Sequence, residues 1–341
     1  MVNSSTSKEL VRSMFAGKKV PRPRFMPFAG TFAAALRQIP VRDMLEDPTL
    51  LANSLQDAQA LFSYDTIATA LDSSLEAEAC GCEVDWEDDN RPPTVTSHPL
   101  AEGRRPADLD LSGIEKRGRL PIVLEAIRRL SLVPGKHVAL AGTVTGPVAL
   151  ARHLMGDCLF DDLRQGKEQA KEVVASAAKV TLSVARAYCD QKVDVIVIAD
   201  EALSRLDASS YEVAFAGLRS VTKVIRFYGA SSVFLTRDCT GDQIRSIASS
   251  VAGLDGIAAD GGLDLAELSD IAARAGLCFG ASIPSAALLG SLSDVTDRVR
   301  DMLAKVGGRY FLTTGWEIPM ATPAENIHAL MAYLEDSSGL D

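Results

Sequence analysis

No apolar run in this chain approaches the roughly 20 residues needed to cross a bilayer. The opening Met1-Val-Asn-Ser-Ser-Thr-Ser7 also lacks a basic stretch followed by an apolar one. The expectation is a cytoplasmic protein with no membrane association. Basic residues are the minority, 35 Lys and Arg against 45 Asp and Glu, which leaves a net charge of -10. That balance argues against a general nucleic-acid or anionic-membrane binder, so any anionic ligand must meet a local basic pocket. Cysteine is sparse and irregularly spaced, 6 in 341 residues, which excludes a secreted disulfide framework. With only 4 histidines, proton transfer by imidazole falls to few positions.

What the chain does have is apolar content, 47%, enough to bury a large core. Strand-like runs alternate with helical ones almost to the end. The strands are read at Arg24–Phe28, Asp65–Leu71, His137–Ala141, Val193–Ala199, Ser232–Thr236, Gly256–Ala259, Leu277–Gly280 and Arg309–Thr313. Several are continuously apolar, as strands covered on both faces must be. Alternation of this kind predicts parallel βα units, and the count fits one α/β domain, a (β/α)8 TIM barrel over residues 1–341. Helices are read from the cap at Thr6 to Phe15, over Ser293–Leu303, and along the run from Asp161 to Asp190. Residues 87–120 are too long and polar for a connector, and read as a lid or a partner surface.

In such a barrel, catalytic side chains gather where strands end. Asp65 opens the second strand and Asp72 follows it, with Glu76 and Glu78 close behind. Thr143 and Thr145, Asp200-Glu201, Arg237-Asp238-Cys239, Asp260, Ser282 and Trp316-Glu317 follow the later strands. Each has a plainer alternative: Asp200 can cap the next helix, and Asp260 before Gly261-Gly262 can make a turn. Arg237 beside Cys239 can lower a thiol pKa, although a buried packing thiol is the commoner outcome. His153 falls on the helix after the third strand, as a proton-transfer group or as a helix-packing residue. Cys80-Gly-Cys82 with His98 is either a metal motif or a pair of ordinary thiols.

Several segments together resemble the uroporphyrinogen decarboxylase superfamily. They are Asp65 to Leu100, Gly142-Thr-Val-Thr-Gly-Pro147, Gly280-Ala-Ser-Ile-Pro284 with Leu288-Leu-Gly290, and Gly315-Trp-Glu-Ile-Pro319 with Thr322-Pro-Ala-Glu-Asn326. The phrase Leu75-Glu-Ala-Glu-Ala-Cys-Gly81 followed by Ser97-His-Pro-Leu100 is similar to the cobamide-dependent methyltransferase branch. The resemblance implies a barrel with its active site in the central funnel. It also implies, for the decarboxylases, two clamping arginines at positions that here read Pro27 and Thr31, a tyrosine at His153 and a late histidine at Trp316, with Asp65 as the matching residue. For the methyltransferases it implies zinc on a His-x-Cys pair and a late Cys, at positions that here read Arg237-Asp-Cys239 and Trp316.

The expectation is therefore an atypical methyltransferase, moving a methyl group between a small methylated compound and a corrinoid carried by a partner protein, without the usual zinc site. Asp65, Asp72 and Glu78 would orient or protonate the substrate, His153 would transfer a proton, and Arg237 would hold an anionic group. Phe28, Thr143, Asp200, Asp260, Trp316 and Glu317 would line the site. Asp238 and Cys239 are the candidate ligands should a metal bind, with Glu317 completing a harder set, and a homodimer is a candidate assembly. The alternatives are a decarboxylase in which Asp65 stabilises a protonated pyrrole, with Arg22, Arg24 or Arg37 as clamps, and a non-catalytic tetrapyrrole-binding barrel.

Overall fold

The computed structural model describes residues 5–101 and 104–336, so Glu102 and Gly103 of the long loop and Met1 to Ser4 lie outside the described residues. Eight parallel strands form one sheet. They are β1 (Arg24–Phe25), β2 (Thr66–Ala68), β3 (Ala139–Thr145), β4 (Val195–Ala199), β5 (Ser231–Arg237), β6 (Gly256–Asp260), β7 (Cys278–Ser282) and β8 (Tyr310–Thr313). Neighbours pair in parallel from β2 through β8, and β8 pairs with β1. This is the expected (β/α)8 barrel. β1 is shorter than the sequence run because Pro27 has no N–H to donate, and Phe28 returns only as a single bridge to Glu317.

Strand residues divide by parity between two cores. Val195, Val197 and Ala199 of β4 join an interior cluster with Val233, Leu235 and Phe311, whereas Ile196 and Ile198 face the surrounding helices. The middles of the strands are mostly apolar because both faces are covered. The helix Ser7–Phe15 sends Val11, Met14 and Phe15 into the interior cluster, with Phe15 5.9 Å from Phe311 between ring centres. The barrel is thus filled with side chains and plugged at its amino end, leaving the carboxyl end for ligands.

One seam, between β1 and β2, has no ladder, and a carboxylate closes it at each end. At the amino end the Asp65 N–H donates to the Phe25 carbonyl at 2.9 Å, and the Phe25 N–H donates to Asp65 Oδ2 at 2.8 Å. At the carboxyl end Glu317 accepts from the Thr31 N–H at 2.9 Å and the Leu71 N–H at 3.0 Å.

Helix boundaries follow local chemistry. Thr6 caps the first helix in a reciprocal pair with Glu9, as the sequence predicts. The run 161–190 is two helices, Cys158–Arg164 and Glu168–Asp190, because Gly166 takes a left-handed φ of +72° between them. The helix Leu292–Leu303 is capped by Ser291, whose hydroxyl accepts from the Asp294 N–H, so it starts before Ser293.

Candidate functional site

At the carboxyl ends of β2 to β5 a cleft of about 120 Å³ opens, lined by Asp72, Ser73, Thr143, Thr145, Glu201, Arg237 and Trp316. Parity places most of them: the inward series of β3 continues to Thr143 and Thr145, that of β4 reaches Glu201, and that of β5 reaches Arg237.

Asp72 is fully engaged. Its Oδ1 accepts from the Ser74 N–H at 3.0 Å and the Ser74 hydroxyl at 2.5 Å, and its Oδ2 accepts from Arg119 at 2.5 Å. Arg119 also donates to Glu78 at 2.8 Å and to the Ser74 hydroxyl at 2.7 Å, and lies over Trp86 at 5.1 Å. This arginine stands at the head of the helix Leu120–Leu132, where the long loop ends. Asp72 therefore presents a fixed, charge-compensated carboxylate to the cleft, while Glu78 supports it through Arg119.

Three further carboxylates brace the mouth. Glu76 accepts from the Thr145 N–H at 3.0 Å and its hydroxyl at 2.6 Å. Asp200 accepts from the N–H groups of Val148 at 2.9 Å and Ala149 at 3.0 Å, at the start of the helix Pro147–Met155. It approaches so closely that a side chain at Gly146 would overlap it. Asp200 thus caps a helix, but the one after β3 that precedes it in the chain and not the next one that the sequence suggests. Glu317 is the seam residue already described, and its pKa rises with burial against the hydrogen bonds it accepts from Thr31.

Burial pushes Glu76 up to about 7 from an ordinary 4.5, with the Thr145 hydrogen bonds opposing. Because the folded pKa is the higher one, the stability linked to this group is full below about 4.5 and is lost as pH rises through about 7. At about 1.4 kcal/mol per tenfold change, the loss is on the order of 3 kcal/mol. Asp200, also raised to about 7 by burial, acts in the same direction. Glu76→Gln is expected to flatten the fall in stability between pH 5 and pH 8 by roughly that amount. Urea midpoints at the two pH values check this, and an unchanged difference would remove Glu76 from the account.

Across the cleft, the Arg237 guanidinium lies 4.4 Å from the Trp316 ring centre and 3.4 Å from Asp260 Oδ2. Asp260 also accepts from the Gly261 N–H at 3.1 Å, the turn expected of it. Glu201 faces this pair, with Arg152 and Arg237 both acting on its charge.

The neighbouring Asp238 is exposed, at a φ of +55°, and its N–H bonds the Asp260 carbonyl. Cys239 is turned into the core, 3% exposed, its sulfur 3.2 Å from the Thr236 hydroxyl. Burial pushes its thiol up to about 11, the reverse of activation by Arg237. Among the described residues, no three His, Cys, Asp or Glu side chains converge for a metal. A guanidinium at 237, an indole at 316 and a protonated, buried thiol at 239 do not fit thiolate-bound zinc. Asp238, Cys239 and Glu317 are likewise not brought together.

His153 does reach the site's edge. Its Nε2 lies 3.2 Å from the Ser73 hydroxyl, and burial lowers it to about 4, so it is neutral at physiological pH. Ser73 separates the mouth cleft from a second, polar one of about 530 Å³ that His98, Arg152 and His153 help to line. Cys80 and Cys82 are buried thiols, each raised to about 12 by burial, and the Cys82 thiol donates to the His153 carbonyl at 3.6 Å.

Two expected residues lie elsewhere. Phe28 packs in the barrel interior beneath the mouth. Asp65 sits at the amino end of β2, fully buried, bonded to Arg22 at 2.8 Å and Arg24 at 3.2 Å. It belongs to the closed end of the barrel, because a strand's first residue and its last are separated by the strand's full length. The sequence alone singles out neither Arg119 nor Ser73, and offers Glu201 only as part of a pair with Asp200. Inward parity along β4 singles out Glu201, whereas nothing local in the sequence marks Arg119, which arrives from 47 residues away.

Residues 6–336 match the family model for uroporphyrinogen decarboxylase (URO-D). The methylcobamide:CoM methyltransferase MtaA of Methanosarcina barkeri strain Fusaro is 30% identical over 299 residues, 84% of each chain. The methylcobamide:CoM methyltransferase MtbA of Methanosarcina acetivorans is 25% identical over 290 residues, again 84% of each. In fold, a methyltransferase from Methanosarcina mazei superposes with a TM-score of 0.85 at 20% identity, covering 98% of this chain and 99% of the other. Among the described residues no helix is long and apolar enough to cross a membrane. The chain belongs to the uroporphyrinogen decarboxylase family, whose methyltransferases are among its relatives.

Proposed function

We propose that this protein is a corrinoid-dependent methyltransferase that moves a methyl group between a small methylated compound and a corrinoid carried by a partner protein, without thiolate-bound zinc. The relatives' activity, methylcobamide:CoM methyl transfer, supports the reaction class. The Arg237–Trp316 pair in the mouth supports the rest of the reading. A cation stacked on an aromatic wall holds an oxyanion and shields a methyl group from water, where a thiolate-binding metal would have activated a thiol. Asp72, fixed by Arg119, would orient the substrate, and Thr143 and Trp316 would line it.

Decarboxylation of a polycarboxylate porphyrinogen needs cationic clamps at the mouth. Arg22 and Arg24 are committed to Asp65 at the other end, and Arg37 pairs with Asp57 at 2.6 Å. Incubation with uroporphyrinogen is accordingly expected to yield no coproporphyrinogen.

The direct experiment follows cobalamin absorbance with methylcobalamin, or the cognate corrinoid protein, and candidate methyl donors and acceptors. Loss of the methyl–cobalt spectrum is expected with one of them, and no spectral change with any would defeat the proposal. Arg237→Met is expected to raise KM for an anionic substrate about tenfold or more while changing kcat less, since the lost contact is made in ground and transition states alike. Steady-state kinetics of the two forms would check it.

A further inference from the structure

The carboxylates around the mouth are committed to partners, with one exception. Asp72, Glu76, Asp200, Asp260 and Glu317 each accept the hydrogen bonds given above. Glu201 lines the cleft and, among the described residues, its carboxylate has neither an ion pair nor a hydrogen bond from another side chain. It faces Arg237, whose own ion pair with Asp260 is long at 3.4 Å. An arginine held over an aromatic ring and only loosely paired, beside a carboxyl group that no other side chain engages, is an incomplete polar set that a ligand would complete.

We propose that the mouth cleft is a proton-coupled oxyanion site, in which Arg237 holds a small carboxylate and Glu201 enters protonated, donating a hydrogen bond to the same ligand.

The argument is electrostatic. A carboxylate seated on Arg237 stands beside Glu201, and two adjacent anions in a partly desolvated cleft do not both stay ionised. Burial already raises Glu201, while Arg152 on the helix Pro147–Met155 and Arg237 on β5 hold it down. An arriving anion neutralises part of that cationic influence and adds repulsion, so the proton goes to Glu201. The other charged groups near this point are Asp260, paired with Arg237 at 3.4 Å, Asp200, buried next to Glu201 in the chain, and Asp72, which Arg119 compensates. Protonated Glu201 then supplies an O–H donor, so Arg237, the ligand and Glu201 together carry no net charge.

The inference deepens the role given to Arg237 under the proposed function, but its test reads binding alone. A protein that binds the anion and transfers no methyl group would therefore refute the function and leave this standing. Trp316 is a built-in reporter, since Trp86→Phe leaves it as the sole tryptophan of 2. Acetate is titrated against this form between about pH 6 and pH 9. Its affinity is expected to fall about tenfold per pH unit once the pH exceeds the Glu201 pKa. Glu201→Gln in the same background is expected to bind acetate without that slope, and Arg237→Met to bind it at least about tenfold more weakly. With the unmodified protein, calorimetry in two buffers of different ionisation heat is expected to show uptake of about one proton per acetate. A slope that survives in Glu201→Gln would assign the proton to Asp200 or another neighbour and overturn the proposal. Absence of acetate binding at every pH, or undiminished binding by Arg237→Met, would overturn it as well.

Discussion

Asp65→Asn is expected to lower the unfolding free energy by about 3–5 kcal/mol while leaving acetate binding at the mouth of the folded protein unchanged. The Asp65 carboxylate, wholly buried, pairs with Arg22 at 2.8 Å and Arg24 at 3.2 Å, and accepts the Phe25 N–H at 2.8 Å and the Ser7 hydroxyl at 3.1 Å. Removing its charge leaves Arg24, which is 2% exposed, with only the weaker influence of Glu335 to balance it in the protein interior. Burial already lowers the Arg24 pKa, and Asp65 is the main influence restoring it. A loss of that size is a large fraction of the roughly 5–15 kcal/mol by which domains are stable. One of the two bonds that close the barrel seam at this end runs through the same carboxylate, so the substitution weakens the link between β1 and β2 while the bond from the Asp65 N–H to the Phe25 carbonyl remains. Urea unfolding with a cleft-binding assay separates the effects: stable protein with a defective cleft would return Asp65 to the active site.

The eight strands were legible in the sequence because each is short, several are apolar on both faces, and turn or polar residues bound them. Val193 to Ala199 is the clearest case, seen as β4 at Val195–Ala199. Asp72 was legible for the same reason, as the first charge after an apolar run. Asp65 looked equivalent because composition does not distinguish a strand's two ends, and only direction along the barrel does. Asp200 and Glu201 were legible as a pair but not as individuals until the inward set of Val195, Val197 and Ala199 fixed the parity. Arg119 was illegible: it stands in a polar loop among other arginines, and its role exists only once the chain has folded back to Asp72. The family motifs around Gly142 and Gly315 pointed to the barrel. The replacements at 237 and 316 then carried the information about chemistry, because a guanidinium on an indole binds a different class of ligand from a metal.

Arg119→Met is expected to be comparably damaging, by about 3–5 kcal/mol, but at the opposite end of the barrel. The guanidinium is 6% exposed at its side chain and serves Asp72 at 2.5 Å, Glu78 at 2.8 Å and the Ser74 hydroxyl at 2.7 Å. Methionine keeps the packing against Trp86 and leaves two acids uncompensated, so the loss reports charge rather than volume. Arg119→Lys is expected to recover less than half of it, since one ammonium cannot span two carboxylates and a hydroxyl in a fixed plane. The consequence extends to the long loop, whose end this residue fastens to the mouth. Limited proteolysis between residues 104 and 118 is expected to quicken in both variants, with Trp86 fluorescence shifting in Arg119→Met as one of its two stacked guanidinium groups is lost and Arg42 remains. If instead the loop stays as resistant as in the parent while stability falls, then Ile114, wholly buried, anchors the loop by itself. Arg119 would in that case serve Asp72 alone. Either result bears on the site, because Asp72, the carboxylate proposed to orient a substrate at β2, is held in position by a residue of the segment that borders the opening.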